Sequence, residues 1–320
     1  MNEKMTYKKN CVASLFPESV KSYFHKIIDT YQNIAEIRIR KNGPVQILSN
    51  GKFIYLSRSG ELCPDAGGGI CLTADEFDEL FRHICRHSVY AFEQELKNGY
   101  LTVEGGHRIG VVGRTVWEGD TLIGIKNYNA LNIRIAHEIK GAGDGVLPFI
   151  FEEGVLKSTL IVSLPGCGKT TLLRDVIRKI SNGSKYCLPL NVSLIDERSE
   201  IASSYLGIAQ NDVGRHTDVL DSCPKAAGIM MVLRSMSPQV IAVDELGGEA
   251  DYNALLQAFY LGCRIVATIH GVDYETLRKN VYMQELLQQG CFERIVFLQP
   301  GGRPGIIKEI CNEKGEVIWS

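Results

Sequence analysis

Apolar residues along this chain fall into two regimes: alternating and helical spacings up to about residue 145, then short unbroken apolar runs. In the 18–28 stretch, Val20, Tyr23, Phe24, Ile27 and Ile28 recur at helical spacing and predict an amphipathic helix packed on its own domain. Alternation over 35–40 predicts a half-buried strand, which Lys41-Asn42-Gly43-Pro44 turns into a second strand over 45–48. Asn50-Gly51 then predicts a tight hairpin into a third strand over 53–56, because such a turn needs positive φ at both central residues. The glycine-containing 59–69 stretch reads as surface loop. Thr73-Ala74-Asp75-Glu76 has capping-box spacing and starts a helix expected to run to about His87. A second helix over 88–97 is closed by Asn98-Gly99. Strands are expected over 100–103, 107–113 and 130–136.

Beyond residue 146 the apolar runs at 160–163, 191–195, 240–243 and 264–268 alternate with helical segments, the rhythm of βαβ units. Further strands are expected over 294–298, 305–310 and 317–319. The predicted architecture is a smaller α+β domain over 1–145 and an α/β domain with a mainly parallel sheet over 146–320. The run Gly141-Ala142-Gly143-Asp144-Gly145 is the expected hinge. With 45% hydrophobic residues in 320, the chain has apolar material for two cores. Lys plus Arg number 35 against 37 Asp plus Glu, a net charge of −2 that gives no overall attraction for nucleic acid or anionic membrane. Ten cysteines with no CxxC spacing argue against a zinc site or redox dithiol and read as reduced thiols of a cytoplasmic protein. No run approaches the ~18 apolar residues of a membrane span, and the polar N-terminus lacks a signal-peptide core. No direct membrane span is expected.

Chemistry enters where the apolar strand at 160–163 meets Ser163-Leu164-Pro165-Gly166-Cys167-Gly168-Lys169-Thr170-Thr171. A helical pattern opens at Lys169, which makes this the strand–loop–helix setting of a P-loop in a RecA-like domain. Loop and helix N–H groups are expected to hold nucleotide phosphates, with Lys169 on the β- and γ-phosphates and Thr170 on Mg2+. Ser163 stands where the motif usually begins with Gly, and Ser tolerates a tight turn less freely. The strand Val240-Ile241-Ala242-Val243 ends in Asp244-Glu245, and carboxyl ends of parallel strands face the ligand crevice. Asp244 suits the coordination shell of Mg2+; Glu245 suits polarising an attacking water. Ser193-Leu194-Ile195-Asp196-Glu197-Arg198 repeats the pattern, with Glu197 a second candidate for orienting water or a surface partner of Arg198. In Ala267-Thr268-Ile269-His270, either His270 or Thr268 is placed to sense the γ-phosphate, unless the His is structural. Arg215 and Arg234 are candidates for neutralising transition-state charge, in cis or across a subunit boundary, with an ordinary salt bridge as the alternative. ATP and Mg2+ are the expected cofactors.

Taken in order, these blocks resemble the hexameric secretion ATPases of type II and type IV systems. Their Asp box, Walker B and His box correspond to Asp196-Glu197, the 240–245 run and the 267–270 run. The stretch Gly214-Arg215-His216-Thr217-Asp218-Val219-Leu220-Asp221-Ser222-Cys223-Pro224-Lys225-Ala226, with 230–245, resembles a sporulation-specific branch, the stage III sporulation AA family. The 34–40 run through Pro44 is similar to the opening of that family's N-terminal domain. Two positions depart from the secretion pattern: Ser163-Leu164-Pro165-Gly166 replaces Gly-Pro-Pro-Gly, and Asp244-Glu245 replaces Gly-Glu. The resemblance implies a cytoplasmic homo-hexameric ATPase on the mother-cell side, held at the membrane through membrane proteins of a sporulation channel complex. It implies a role in energising or assembling that channel, with Arg108, Arg114 or Arg134 closing over the γ-phosphate. Two rivals stand beside this reading. One is a nucleic-acid-stimulated P-loop translocase, against which the near-neutral charge counts; the other is an ATP-binding scaffold with little turnover.

Overall fold

In the computed structural model, which describes residues 3–301 and 304–320, the chain forms two units divided between His137 and Glu138. The division precedes the expected hinge. Asp175, buried on the helix after the P-loop, accepts the N–H groups of Gly141 and Gly143 at 3.1 and 2.8 Å, which ties that glycine run into the second unit.

The first unit opens with α1 (Glu3–Ala13) and α2 (Glu18–Asp29), then β1 (Ile34–Arg40), β2 (Gln46–Ser49), β3 (Lys52–Leu56) and β4 (Leu62–Cys63). After α3 (Ala74–Ile84) and α4 (Glu93–Lys97) come β5 (Tyr100–Val103), β6 (His107–Glu118) and β7 (Thr121–Arg134). Among the described residues these strands form one antiparallel sheet in the order β4-β3-β2-β1-β7-β6-β5. The apolar face expected on α2 is buried through Val20, Phe24, Ile27 and Ile28. Asn50 and Gly51 take positive φ between β2 and β3, and Thr73 and Glu76 complete their capping box.

Several limits differ from the pattern. α3 stops at Ile84 instead of His87, because Arg86 and His87 adopt left-handed backbone with φ of 49° and 59°. The 88–97 stretch holds a 3-10 turn over Val89–Phe92 before the short α4. The 59–69 loop contains β4 and a 3-10 turn. β6 and β7 run on as a long hairpin whose outer residues, Trp117 among them, are exposed and so carry no burial alternation. α1 was hidden in a lysine-rich pattern, although Cys11 and Val12 anchor it in the core. It is tied further by His107, which accepts the Ala136 N–H at Nδ1 (3.1 Å) and therefore donates from Nε2 to Lys8 O (3.2 Å). Burial holds the imidazole of His107 down to about 4.

In the second unit α5 (Leu147–Ile150) and the small hairpin of β8 (Phe151–Glu152) and β9 (Val155–Leu156) lead into β10 (Thr159–Ser163). Then follow α6 (Lys169–Asn182), β11 (Val192–Asp196), β12 (Thr217–Asp221), α7 (Lys225–Ser235), β13 (Val240–Val243), α8 (Glu249–Tyr260) and β14 (Arg264–His270). The chain closes with α9 (Tyr274–Arg278), α10 (Val281–Gln288), β15 (Arg294–Leu298), β16 (Ile307–Asn312) and β17 (Val317–Trp319). Among the described residues the sheet order is β12-β11-β13-β14-β10-β15-β16-β17. Every neighbouring pair from β12 to β15 is parallel, and β15, β16 and β17 pair antiparallel.

Unbroken apolar runs fit parallel strands covered on both faces. Leu160, Val162, Ile241, Val243 and Ile265 pack in one core with Leu255 of α8 and Leu286 of α10. Ile161, Val240, Ala242 and Val266 pack in the other with Leu173 and Ile177 of α6. β12 escaped the pattern because, as the edge strand, it is only partly buried. The order places β11, β13, β14 and β10 side by side, so their carboxyl ends gather at one rim.

Candidate nucleotide site

Ser163 closes β10 as an ordinary extended residue, so the missing Gly at this position imposes no backbone penalty. The loop turns instead at Gly166 and Gly168, with φ of 80° and 90°. At Gly168 a Cβ would lie 2.5 Å from Gly305 N and 2.6 Å from Pro304 Cβ, so no other residue fits. Gly168 caps α6, whose first N–H groups lack partners within the helix and carry the positive end of its dipole. Lys169 is buried, and its ammonium donates to Ser163 O at 2.9 Å, Leu164 O at 3.3 Å and His270 Nδ1 at 3.0 Å. An ammonium only donates, so Nδ1 accepts and the imidazole proton sits on Nε2. That proton is directed at Glu245 Oε1, 2.8 Å away, while Glu245 Oε2 accepts from Arg198 Nη1 at 3.0 Å. Lys169, His270, Glu245 and Arg198 thus form one continuous chain. Burial lowers the Lys169 pKa, and the charges of Asp244 and Glu245 oppose that shift.

Beside this chain, Thr170 Oγ1 donates to Asp244 Oδ2 at 3.0 Å, and Thr268 Oγ1 donates to Asp244 Oδ1. Thr268 Oγ1 in turn accepts the Glu245 N–H at 2.8 Å, which holds Glu245 in left-handed backbone at φ 52°. Burial raises the Asp244 pKa, with the two threonine hydroxyls pulling the other way. A half-buried carboxylate next to a threonine hydroxyl at a helix N-terminus is a hard-oxygen donor set. It fits a Mg2+ that keeps most of its waters and rests on phosphate, since that ion takes only one or two protein ligands.

The loop after β11 folds on Asp196, whose two oxygens accept the N–H groups of Glu200, Ile201 and Ala202 at 2.9, 3.0 and 2.8 Å. Burial nevertheless pushes this carboxyl up to about 6. Glu197 turns to Lys225 and not to Arg198, and Lys225 also lies 3.9 Å from Asp251. The surface pairing with Arg198, the alternative to a water-orienting Glu197, is therefore replaced by two separate pairings.

A family model described as Sporulation stage III, protein AA, matches residues 6–318. The chain belongs to that family. Its stage III AA relative from Bacillus subtilis (strain 168), Stage III sporulation protein AA, is 38% identical over 310 residues, 97% of each chain. The uncharacterized protein ycf45 of Cyanidium caldarium is 25% identical over 162 residues, 50% of this chain and 46% of that protein. Among solved structures, the ATPase DotB of Yersinia pseudotuberculosis matches with a TM-score of 0.59 at 13% identity, covering 94% of this chain and 81% of its own. The pilus retraction motor PilT with bound ADP matches at 0.58 and 15% identity, covering 92% and 82%. At such identities the likeness is one of fold alone, shared with the ATPase DotB and the motor PilT.

In this stage III AA chain, Lys169, Thr170, Asp244, Glu245 and His270 come together at the rim, joined by Thr268. Thr171 follows on α6, and Cys167 is buried with its carbonyl accepting the Gly305 N–H at 2.9 Å. Arg215 and Arg234 are exposed, the first just before β12 and the second in the last turn of α7. Both positions precede the starts of strands, so they lie at the rim opposite the site within this unit. In the first unit, Arg108 lies over the Tyr100 ring at 4.2 Å, Arg134 is 3.7 Å from Glu36, and Arg114 is on β6. Arg198 and Arg174 were not singled out from sequence as site residues. Arg174 reaches Ile201 O and Glu200 O at 2.6 Å each, and its signal was only a basic residue on the P-loop helix. Among the described residues no helix is long and apolar enough to cross a membrane.

Proposed function

We propose that this chain is a Mg2+-dependent ATP hydrolase that works as a homo-hexameric ring. In this reading it stands on the mother-cell side, docked on membrane proteins, and energises or assembles a sporulation channel to the forespore. The observation that carries the enzymatic part is the Thr170–Asp244 hydrogen bond of 3.0 Å beside the buried ammonium of Lys169. Membership of the stage III AA family and the fold shared with secretion ATPases support the rest.

Thr170 and Asp244 are the residues that would hold Mg2+, which when bound supplies charge neutralisation to the phosphate oxygens. Lys169 exchanges its carbonyl partners for phosphate oxygens, a trade favoured because a charged acceptor makes the stronger bond. The α6 N-terminus adds backbone N–H donors. Glu245 orients the attacking water: its carboxylate is clamped at both oxygens, so it aligns a nucleophile more than it draws off a proton. His270 bridges the phosphate-binding Lys169 and the water-orienting Glu245, and so couples occupancy of one to the position of the other. Phosphate release from Mg-ATP by the wild type and by Lys169→Ala tests the reading. Turnover in the wild type and a loss of about a hundredfold or more in the variant are expected. Equal rates in the two proteins would refute it.

A further inference from the structure

The loop after β11 delivers a side chain to Glu245 that nothing in the motif pattern marks. We propose that Arg198 is a positioning residue for Glu245, one that sets the rotation of its carboxylate for water attack. The inference rests on the ATPase reading given above.

Glu245 occupies a backbone conformation that non-glycine residues seldom adopt, with φ at 52°. Such a conformation persists only where the surroundings over-determine it. Two anchors do so: the N–H bond to Thr268 Oγ1 and the carboxylate held between His270 and Arg198. With one anchor the carboxylate would rotate; with Arg198 on Oε2, Oε1 is kept facing His270. The guanidinium side chain is 62% exposed, and an exposed ion pair contributes little to stability. Its effect on the direction of Oε1 is of another kind, because a water nucleophile misplaced by an ångström loses much of its rate.

Arg198 is itself delivered by a braced loop. Asp196 gathers three N–H groups from the residues just beyond, and Ser199 takes φ 52° with its hydroxyl on Asp221 at 2.7 Å. Arg174 fastens the same loop to α6 through the Glu200 and Ile201 carbonyls. Glu197, next in the chain to Arg198, is directed elsewhere by Lys225 and does not compete for the guanidinium. A residue presented on a rigid loop, with its neighbour removed, suits positioning work.

The experiment compares Arg198→Ala, Arg198→Lys, Glu245→Gln and the Arg198→Ala/Glu245→Gln pair in the full chain. Arg278→Ala, an exposed cation that pairs with Glu275, is the control for loss of a surface charge. Arg198→Ala is expected to lower kcat about tenfold with KM for Mg-ATP changed by less than about twofold. Arg198→Lys is expected to recover most of the rate, and Arg198→Ala to add no further loss on Glu245→Gln. A kcat for Arg198→Ala within about twofold of wild type, or a full additional loss in the double variant, would overturn the proposal.

A second measurement needs no turnover: affinity for ADP with and without aluminium fluoride and Mg2+. Arg198→Ala is expected to weaken only the aluminium fluoride complex, by about tenfold; unchanged or equal weakening of both would overturn the assignment. A wild type that binds neither form removes the ATPase reading and Arg198's role with it. A wild type that binds both, beside an indistinguishable Arg198→Ala, removes only Arg198.

Discussion

Three hydrogens on the Lys169 ammonium meet three acceptors, and the third of them, His270, passes the contact on to Glu245. The residues of this chain were readable one at a time, because a Lys after Gly at a helix start and carboxylates at strand ends each have a physical reason to be there. Their partners were not. Nothing in the adjacency of Glu197 and Arg198 tells that one turns to Lys225 and the other to Glu245. A second residue-scale consequence lies in two buried titrating groups of opposite sign. His107 binds a proton near 6.5 in an unfolded chain and at about 4 in the fold. Its contribution of about 3 kcal/mol is present above pH 6.5 and is lost as pH falls towards 4. Asp196, raised from 3.8 to about 6, works the other way: its contribution is present below 3.8 and is lost as pH rises through 6. Hydrogen exchange between pH 4 and 6.5 should show the His107 contribution in the first unit and the Asp196 contribution in the second. His107→Gln keeps a donor and an acceptor without a proton to gain, and should flatten the first unit's response. A response in the variant as steep as in wild type would count against this account.

At the scale of elements, apolar period located most strands buried on a face and the exposed β17 over 317–319 as well, but missed other strand length that water covers. β12 at the sheet edge and the outer half of the β6–β7 hairpin are the cases in point, since exposed strands have no burial pattern to betray them. α1 was missed for the complementary reason: Cys11 and Val12 anchor it in a stretch whose lysines leave no apolar period to read. Gly228 on α7 gives an element-scale prediction. A Cβ there would lie 2.7 Å from Ile195 Cγ2 and 3.1 Å from Leu220 Cδ2, so α7 approaches β11 and β12 through the absence of a side chain. Gly228→Ala gains about 1 kcal/mol of helix propensity but forces an overpacked contact costing about 1–3 kcal/mol. Packing should win, and the midpoint of urea unfolding of the second unit should fall. An unchanged or higher midpoint would show that the helix can shift outward at no cost.

For the whole molecule, the two units were legible as a change of apolar rhythm, but their division was read from glycine content and so came out late. The glycines at 141 and 143 serve Asp175 as N–H donors, a tertiary role that composition does not reveal. If the chain works as a ring, its near-neutral charge puts no large electrostatic cost on bringing copies together. Light scattering should report a larger species with Mg-ATP than without, and Glu245→Gln should retain that species longer because it binds without turning over. The mass of one chain under all conditions would argue for a monomeric nucleotide-binding protein. One detail of the fold also bears on how such a protein can be controlled from outside. The turn before β16 is fastened to the phosphate loop by the Gly305–Cys167 bond and by the close approach of Pro304 to Gly168. A ligand held at Pro304 and Gly305 would act on Gly168 through these two contacts, and so on the loop that the proposed ATPase reading assigns to phosphate.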